Sequence, residues 1–487
     1  MEIKDKKPNI IAIIGAVILL VLAVIGLSYA FFSAFIKGSE TDTTIEGTGA
    51  KLSLIYTDGK SVITSSNIMP GWSATKTFTV TNNGEGTAYY KLNISNITNE
   101  FVTGGLTFSI TSNDGGATIA EMPVGTENRT ISDTITIEVS KTHSYTITAK
   151  YINLDVDQIP DLGKSFSYTI GIEAGQKVST FADTILASNE IKTPLTTPGA
   201  TVSTSSEALL ASTEDDYGTS YYFRGLVRNN YVQFANKCWR IVRIGGDNTI
   251  KLILHNDNTA NVSNPCSSTN NNVIAAFANY TGSTYTSTFN TNINDNAYVG
   301  FLYGTPGSST YEETHANTNK STILINLEKW FNKTLKNYKN IIADNTFCSD
   351  KNISASGLGY GKNETYFDAH ERLYTNKTPT LKCKGELSKI TSKIGLITAD
   401  ELIFAGYAPN IYDTVTYLKE NATGTWWWAI TPDSFNSNSA RTWEASGSGI
   451  GNYSVNSEGG LRPYISLVSS TKISGGSGTS EDPYIVK

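Results

Sequence analysis

The 487-residue chain is long enough for about three domains, each with a core of its own. Only 17% of its residues are charged, and 26 tyrosines supply most of the aromatic side chains, a composition that favours β-strands joined by polar turns. The net charge of -6 is modest and spread along the chain, so we expect no nucleic-acid partner. These features favour an all-β or α+β surface protein.

An uncharged apolar run near the N-terminus predicts export. It covers residues 10–36 and follows three lysines. A run of this length can span a bilayer, and the preceding lysines favour a cytoplasmic N-terminus. We therefore expect a cytoplasmic tip at 1–8 and a transmembrane anchor or signal segment at 9–37, which would make a single-pass membrane protein with extracellular domains. Cleavage near the small residues of 28–30 is the alternative.

The cysteines predict disulfides rather than a metal or redox site, because no two of them form a Cys-x-x-Cys pair. An even number in an exported chain favours two bonds. Of the three possible pairings we favour the sequential one, since each bond then closes a local polar loop, and four reduced buried thiols are the alternative. The predicted pairs are Cys238 with Cys266 and Cys348 with Cys383.

Residues 48–174 predict a β-sandwich. Short runs of alternating apolar and polar residues recur there, and no long helical window interrupts them. Turn signals at Pro70–Gly71 and Asn82–Gly84 bound one of the strands.

Several motifs of this region resemble the extracellular sandwich of camelysin and TasA-like biofilm-fibre proteins of Gram-positive bacteria. The resemblance implies a subunit that could assemble by donating strands between copies, with the segment 38–48 as donor. Some members of that group have been called metalloproteases, but no His-Glu-x-x-His motif is present, and we expect no protease activity. The motifs are Met69–Ser73, Lys76–Gly84, Ala88–Tyr90, His143–Tyr145 and Asp155–Gly163.

Residues 175–215 collect Thr, Ser, Pro and Ala and lose the strand pattern. We predict a linker with one short helix at 180–188.

Residues 216–487 predict an α+β domain. A hairpin is expected within 231–254, and an amphipathic helix, capped by Ser321, is expected to follow Lys320. Thr398 and Glu401 form a capping-box pattern at the start of a second helix.

This half resembles a surface module of Firmicutes with a C-type-lectin-like, or formylglycine-generating-enzyme-like, fold. The copper-binding cysteine pair of that enzyme and the calcium motifs of sugar-binding C-type lectins are missing, so we expect neither activity and no cofactor. The motifs are Asn230–Phe234, Cys238–Ile244, Tyr298–Gly304, Phe347–Asp350, Gly395–Glu401, Ala405–Gly406, Trp428–Pro432, Gly460–Pro463 and Gly475–Val486.

No complete catalytic or metal-binding pattern is visible, and we predict a non-enzyme. Asp155, Asp157 and Asp161 lack the glycine and distal glutamate of a calcium loop and are expected to be solvated turn residues. The histidines lie far apart, outside any nucleophile motif: His143, His255, His315 and His370.

Trp427, Arg441 and Trp443 are the predicted ligand-binding residues, because aromatic faces stack on sugars or anchor interfaces and arginine adds a planar hydrogen-bonding fork. The alternative is that these tryptophans pack in a core strand. We expect a cell-surface binding or adhesion protein that contacts a glycan or a surface protein. The alternative function is a self-associating structural subunit of a biofilm or surface fibre.

Overall fold

The structure is a computed structural model. It describes residues 43–47, 52–58, 68–84, 86–161, 163–175, 179–354 and 357–487. The chain divides into two compact units, Met1–Val178 and Ser179–Lys487. The segment predicted as an anchor, 9–37, lies outside the described residues.

The predicted fold class is wrong. The structure is mostly β-sheet, with 37% strand and 14% helix distributed over several sheets and short helices. Among the described residues no helix has the length and apolar character needed to cross a membrane. The longest described helix follows Lys320 and spans 13 residues, whereas a membrane crossing takes about 20.

The first unit contains two antiparallel sheets with the apolar side chains of alternate positions between them. One sheet has the order β1-β2-β3-β9-β5-β6, and in the other β4 pairs with β10, β7 and β8. The buried core includes Phe78, Tyr90 and Tyr145. The strands are β1 Thr43–Gly47, β2 Leu52–Asp58, β3 Trp72–Asn82, β4 Ala88–Asn99, β5 Leu106–Thr111, β6 Ile119–Pro123, β7 Arg129–Thr130, β8 Ile135–Ile137, β9 Thr142–Tyr151 and β10 Phe166–Ala174.

The second unit is built on two larger sheets. The first has the order β11-β12-β14-β13-β27, and β15 joins β14 to β26. The second has the order β16-β25-β22-β23-β24, with β20 on β22. Its strands are β11 Ala208–Asp215, β12 Gly218–Gly225, β13 Tyr231–Phe234, β14 Lys237–Ile244, β15 Ile250–Asn256, β16 Thr286–Ser287, β17 Leu302–Tyr303, β18 Asn319–Lys320, β19 Asn345–Cys348, β20 Thr365–Tyr366, β21 Lys389–Ser392, β22 Trp427–Asn436, β23 Ser439–Ala445, β24 Ile450–Ser454, β25 Gly459–Gly460, β26 Tyr464–Leu467 and β27 Tyr484–Ile485.

The helices of the second unit are short, and their caps follow the sequence. Ser321 caps the longest of them, and Thr398 and Glu401 form the predicted capping box. The α-helices are α1 Phe181–Ala187, α2 Tyr311–His315, α3 Thr322–Thr334, α4 Asp368–His370 and α5 Ala399–Phe404, and a π-helix follows α4 at Glu371–Thr375.

The segment predicted as a linker, 175–215, is ordered over its described part. It carries α1, whose Thr180 and Asp183 form a capping box, and it ends in β11, which pairs along its whole length with β12. Glu207 within it is fully buried and forms an ion pair with Arg224 of β12 at 3.0 Å. Most of this segment therefore belongs to the second unit.

Both predicted disulfides are confirmed. Cys238 is bonded to Cys266, and Cys348 is bonded to Cys383. The first bond ties β14 to the loop that follows β15, and the second ties β19 to the segment before β21.

Candidate functional site

Both tryptophans predicted to bind a ligand are core residues. Trp427 and Trp443 are fully buried, and only Arg441 of the predicted trio is partly exposed. The Arg462 guanidinium lies 4.6 Å from the Trp427 ring, and Tyr374 stacks on Trp443 at 4.6 Å. The indoles are buried because side chains from outside the sheet cover them, so neither indole presents a face at the surface.

A row of rings lies where the ligand surface was expected. His370 lies between Tyr366, with ring centroids 4.4 Å apart, and Tyr374, with centroids 4.8 Å apart. Tyr374 continues the row onto Trp443. The three outer rings are partly exposed and the Trp443 ring is their buried floor.

A buried carboxylate orients the imidazole. His370 Nδ1 lies 2.9 Å from Asp433 Oδ1, and Asp433 is almost completely buried. Ser434 donates a hydrogen bond to the second oxygen of Asp433. If Nδ1 donates its proton to this carboxylate, Nε2 is the nitrogen left to contact a ligand.

Polar side chains border the row. Arg441 donates to Asn452 Oδ1 at 3.2 Å, and Asn436 donates to the Tyr366 hydroxyl at 3.0 Å. Burial raises the pKa of the Tyr374 hydroxyl, which therefore stays protonated at neutral pH.

Strand register explains why these residues share one face. Tyr366 lies opposite Ser434, Ser434 lies opposite Arg441, and Trp443 lies opposite Asn452. Residues paired across neighbouring strands point to the same side of a sheet. We call this set the ring site, and it comprises Tyr366, His370, Tyr374, Arg441, Trp443 and Asn452.

The π-helix holds the ring site against the sheet. Arg372 at its start forms ion pairs with Asp350 at 2.6 Å and Asp400 at 2.8 Å, while Tyr374 of the same helix stacks on the sheet. Single π-turns are rare and often occur at functional sites. Arg372 is therefore a positioning residue, since its ion pairs fix the element that carries Tyr374.

The opposite face of the same sheet also carries an exposed tyrosine. Tyr453 is 45% exposed and stacks on Trp426, with centroids 4.4 Å apart. Glu444 lies on this face, opposite Gly451, and burial raises its pKa to about 7. Tyr453 follows Asn452 directly in β24 but points to the opposite face. A substitution of Tyr453 is therefore a control for substitutions in the ring site.

The ring site offers aromatic stacking and hydrogen bonding. Within the described ranges, no three His, Cys, Asp or Glu side chains come close enough together to hold a metal ion. One sequence signal points to the site: Tyr366, His370 and Tyr374 are spaced four residues apart, as on one face of a helix.

No protein-family model matches this chain, and no curated protein matches it significantly. The resemblances to TasA-like and C-type-lectin-like proteins therefore stay predictions.

Proposed function

We propose that the protein is an exported surface protein that binds a carbohydrate through the ring site. The observation that carries this proposal is the row of partly exposed rings from Tyr366 through His370 to Tyr374, bordered by Arg441 and Asn452.

The chemistry of the site fits a sugar ring. Aromatic faces favour contact with the apolar C–H face of a sugar, while hydroxyl groups need donors and acceptors at its edge. Arg441 supplies donors, the Asn452 amide supplies both kinds of group, and His370 Nε2 supplies one more.

Two disulfides support the export part of the proposal. Such bonds persist in oxidising compartments and are rare in the cytosol. An oxidising, extracellular compartment is where a cell-surface binding protein would act.

Loss of binding in ring-site variants tests the proposal. We expect a glycan array probed with the whole chain to identify a ligand, and His370→Ala and Arg441→Ala each to weaken its binding about tenfold, which corresponds to about 1.4 kcal/mol. Tyr453→Ala, on the opposite face of the sheet, is the matched control and should bind as the parent does. Calorimetry of each variant checks that the second unit stays folded.

Two outcomes would contradict this assignment. If Tyr453→Ala loses the ligand while the ring-site variants keep it, the Trp426 and Tyr453 face is the binding surface. If no glycan binds, or both folded ring-site variants bind normally, the ring site has no such role.

A fibre subunit is the second candidate, and one observation favours it. β1 is the edge strand of its sheet and pairs only with β2 among the described strands, over five residue pairs from Thr43 with Tyr56 to Gly47 with Leu52. A terminal edge strand of this kind can leave its own sheet and complete that of another copy.

A pair of cysteines, one on β1 and one opposite it on β2, distinguishes two arrangements: β1 paired with β2 of its own chain, and β1 paired with β2 of another copy. Thr44 faces Ile55 across β1 and β2, so Thr44→Cys with Ile55→Cys should crosslink copies into ladders if strands are exchanged. Thr44→Cys alone should give dimers at most. A double variant that stays monomeric after oxidation, with no filaments in electron microscopy, would rule out this assembly.

A further inference from the structure

Lys251 is a buried lysine without a carboxylate partner. It lies on β15, directly opposite Arg243 on β14 and Ser466 on β26. Only 6% of the surface of this residue is exposed, and its Nζ donates a hydrogen bond to Ser466 Oγ at 3.3 Å. Among the described residues, no Asp or Glu oxygen lies within ion-pair distance of this amine.

A small cavity adjoins Lys251. Its volume is about 50 Å³, and its lining includes Lys251, Arg243, Glu401 and Tyr464. Tyr217, which is 56% exposed, also lines it and marks its outer side. A cavity of this size holds several waters or a molecule of a few heavy atoms.

The charges around Lys251 are already engaged with one another. Arg243 binds Glu401 at 2.7 Å and Asp215 at 2.8 Å, and Tyr464 donates to the same Glu401 oxygen at 2.8 Å. Asp247 accepts from Thr249. Lys251 therefore lies opposite the Arg243 cation. The nearby carboxylates of Glu401, Asp215 and Asp247 are each bonded to another residue.

A second buried lysine shows the ordinary structural arrangement. Lys351 Nζ donates to the carbonyls of Leu302 and His315 and to Asn317 Oδ1, at 3.1, 2.7 and 2.6 Å. All three of its protons have acceptors. Lys251 has one long hydrogen bond and an adjoining cavity instead.

We propose that Lys251 condenses with a small aldehyde or ketone that enters this cavity. Lysine becomes a nucleophile when it is desolvated or placed next to another cation, because both conditions favour the neutral amine. Burial, and then the Arg243 charge, lower the pKa of Lys251 to about 7. At pH 7 about half of this amine is neutral, against roughly one part in 2,500 for a lysine of ordinary pKa.

The step balances without any further reactant. The Nζ lone pair forms a bond to the carbonyl carbon, and the amine proton moves to the oxygen to give a carbinolamine. The C–O bond then breaks, and the oxygen leaves as water with a second proton from nitrogen. The products are an imine on Lys251 and one water molecule.

Reductive trapping tests this inference on the whole chain. Acetaldehyde and cyanoborohydride at pH 7, followed by peptide mapping by mass spectrometry, should label Lys251 at least tenfold faster than Lys333, which is exposed on α3 and lies outside the cavity. The ratio of Lys251 to Lys333 labelling should be largest at and below about pH 7 and fall as the pH rises towards the pKa of an ordinary lysine, because Lys251 gains little more neutral amine above its own pKa while Lys333 continues to gain it. Lys251→Arg keeps the charge but removes the nucleophile, and should abolish labelling at that peptide.

Lys351 is the matched control, because burial lowers its pKa to about 7 as well. Labelling of Lys251 and not of Lys351 supports a site that depends on the cavity. Equal labelling of both, or labelling of Lys251 no faster than that of Lys333, would overturn the proposal. The wild-type map decides the question even if the arginine variant fails to fold.

Discussion

Replacing Arg224 with methionine is expected to lower the free energy of unfolding of the second unit by about 3 to 5 kcal/mol. Arg224 and Glu207 are both fully buried, with Nε and Oε2 3.0 Å apart. Methionine leaves the Glu207 carboxylate buried without its cation, and such a charge is strongly destabilising.

The expected loss in the free energy of unfolding is large because the surrounding hydrogen bonds keep Glu207 ionised. Burial alone would raise its pKa, but hydrogen bonds from Thr196 and Ser203 and the charge of Arg224 lower it overall. Arg224 also donates to the carbonyls of Ile403 and Phe404 at the end of α5, and these bonds are lost together with the ion pair.

Chemical denaturation measured by far-ultraviolet circular dichroism would give this difference. Lys320→Met is the control, because Lys320 and Glu328 form an exposed ion pair and such pairs contribute about 1 kcal/mol or less. A loss below about 1 kcal/mol for Arg224→Met would show that the segment around Glu207 is not held by this pair.

Reduction of the disulfides is expected to destabilise the second unit by roughly 3 to 4 kcal/mol for each bond, because each one restricts a loop in the unfolded chain. The bonded cysteines are 28 and 35 residues apart. The first unit contains no cysteine, so its unfolding transition should not change.

Calorimetry of the whole chain with and without reductant measures both transitions. Cys238 and Cys266 are fully buried, so thiol titration must first show that reduction is complete. The double variant Cys238→Ser with Cys266→Ser provides an independent arm. An unchanged transition of the second unit after full reduction would contradict the expectation.

The ring site and the Lys251 cavity are linked through a single element. Arg372 lines the cavity and forms ion pairs with Asp350 and Asp400, while Tyr374 of the same π-helix belongs to the ring site. Variants of Arg372 are therefore unsuitable for testing either proposal, since they would disturb both places.

The sequence by itself determined the features that depend on short-range interactions. Alternation along β3 and β9 follows from the two-residue period of a strand, and the caps at Ser321 and Thr398 follow from hydrogen bonds within one helical turn. The disulfide pairing was also predictable, because each bond closes a local loop.

Only the tertiary structure decided what is exposed and what is paired. Trp443 resembled a ligand platform in sequence, but Tyr374 from a distant segment covers it. Lys251 resembled any lysine of a strand, yet the register of β14, β15 and β26 places it between Arg243 and Ser466. Burial and charge environment depend on residues brought together from far along the chain, and neither periodicity nor spacing records those contacts.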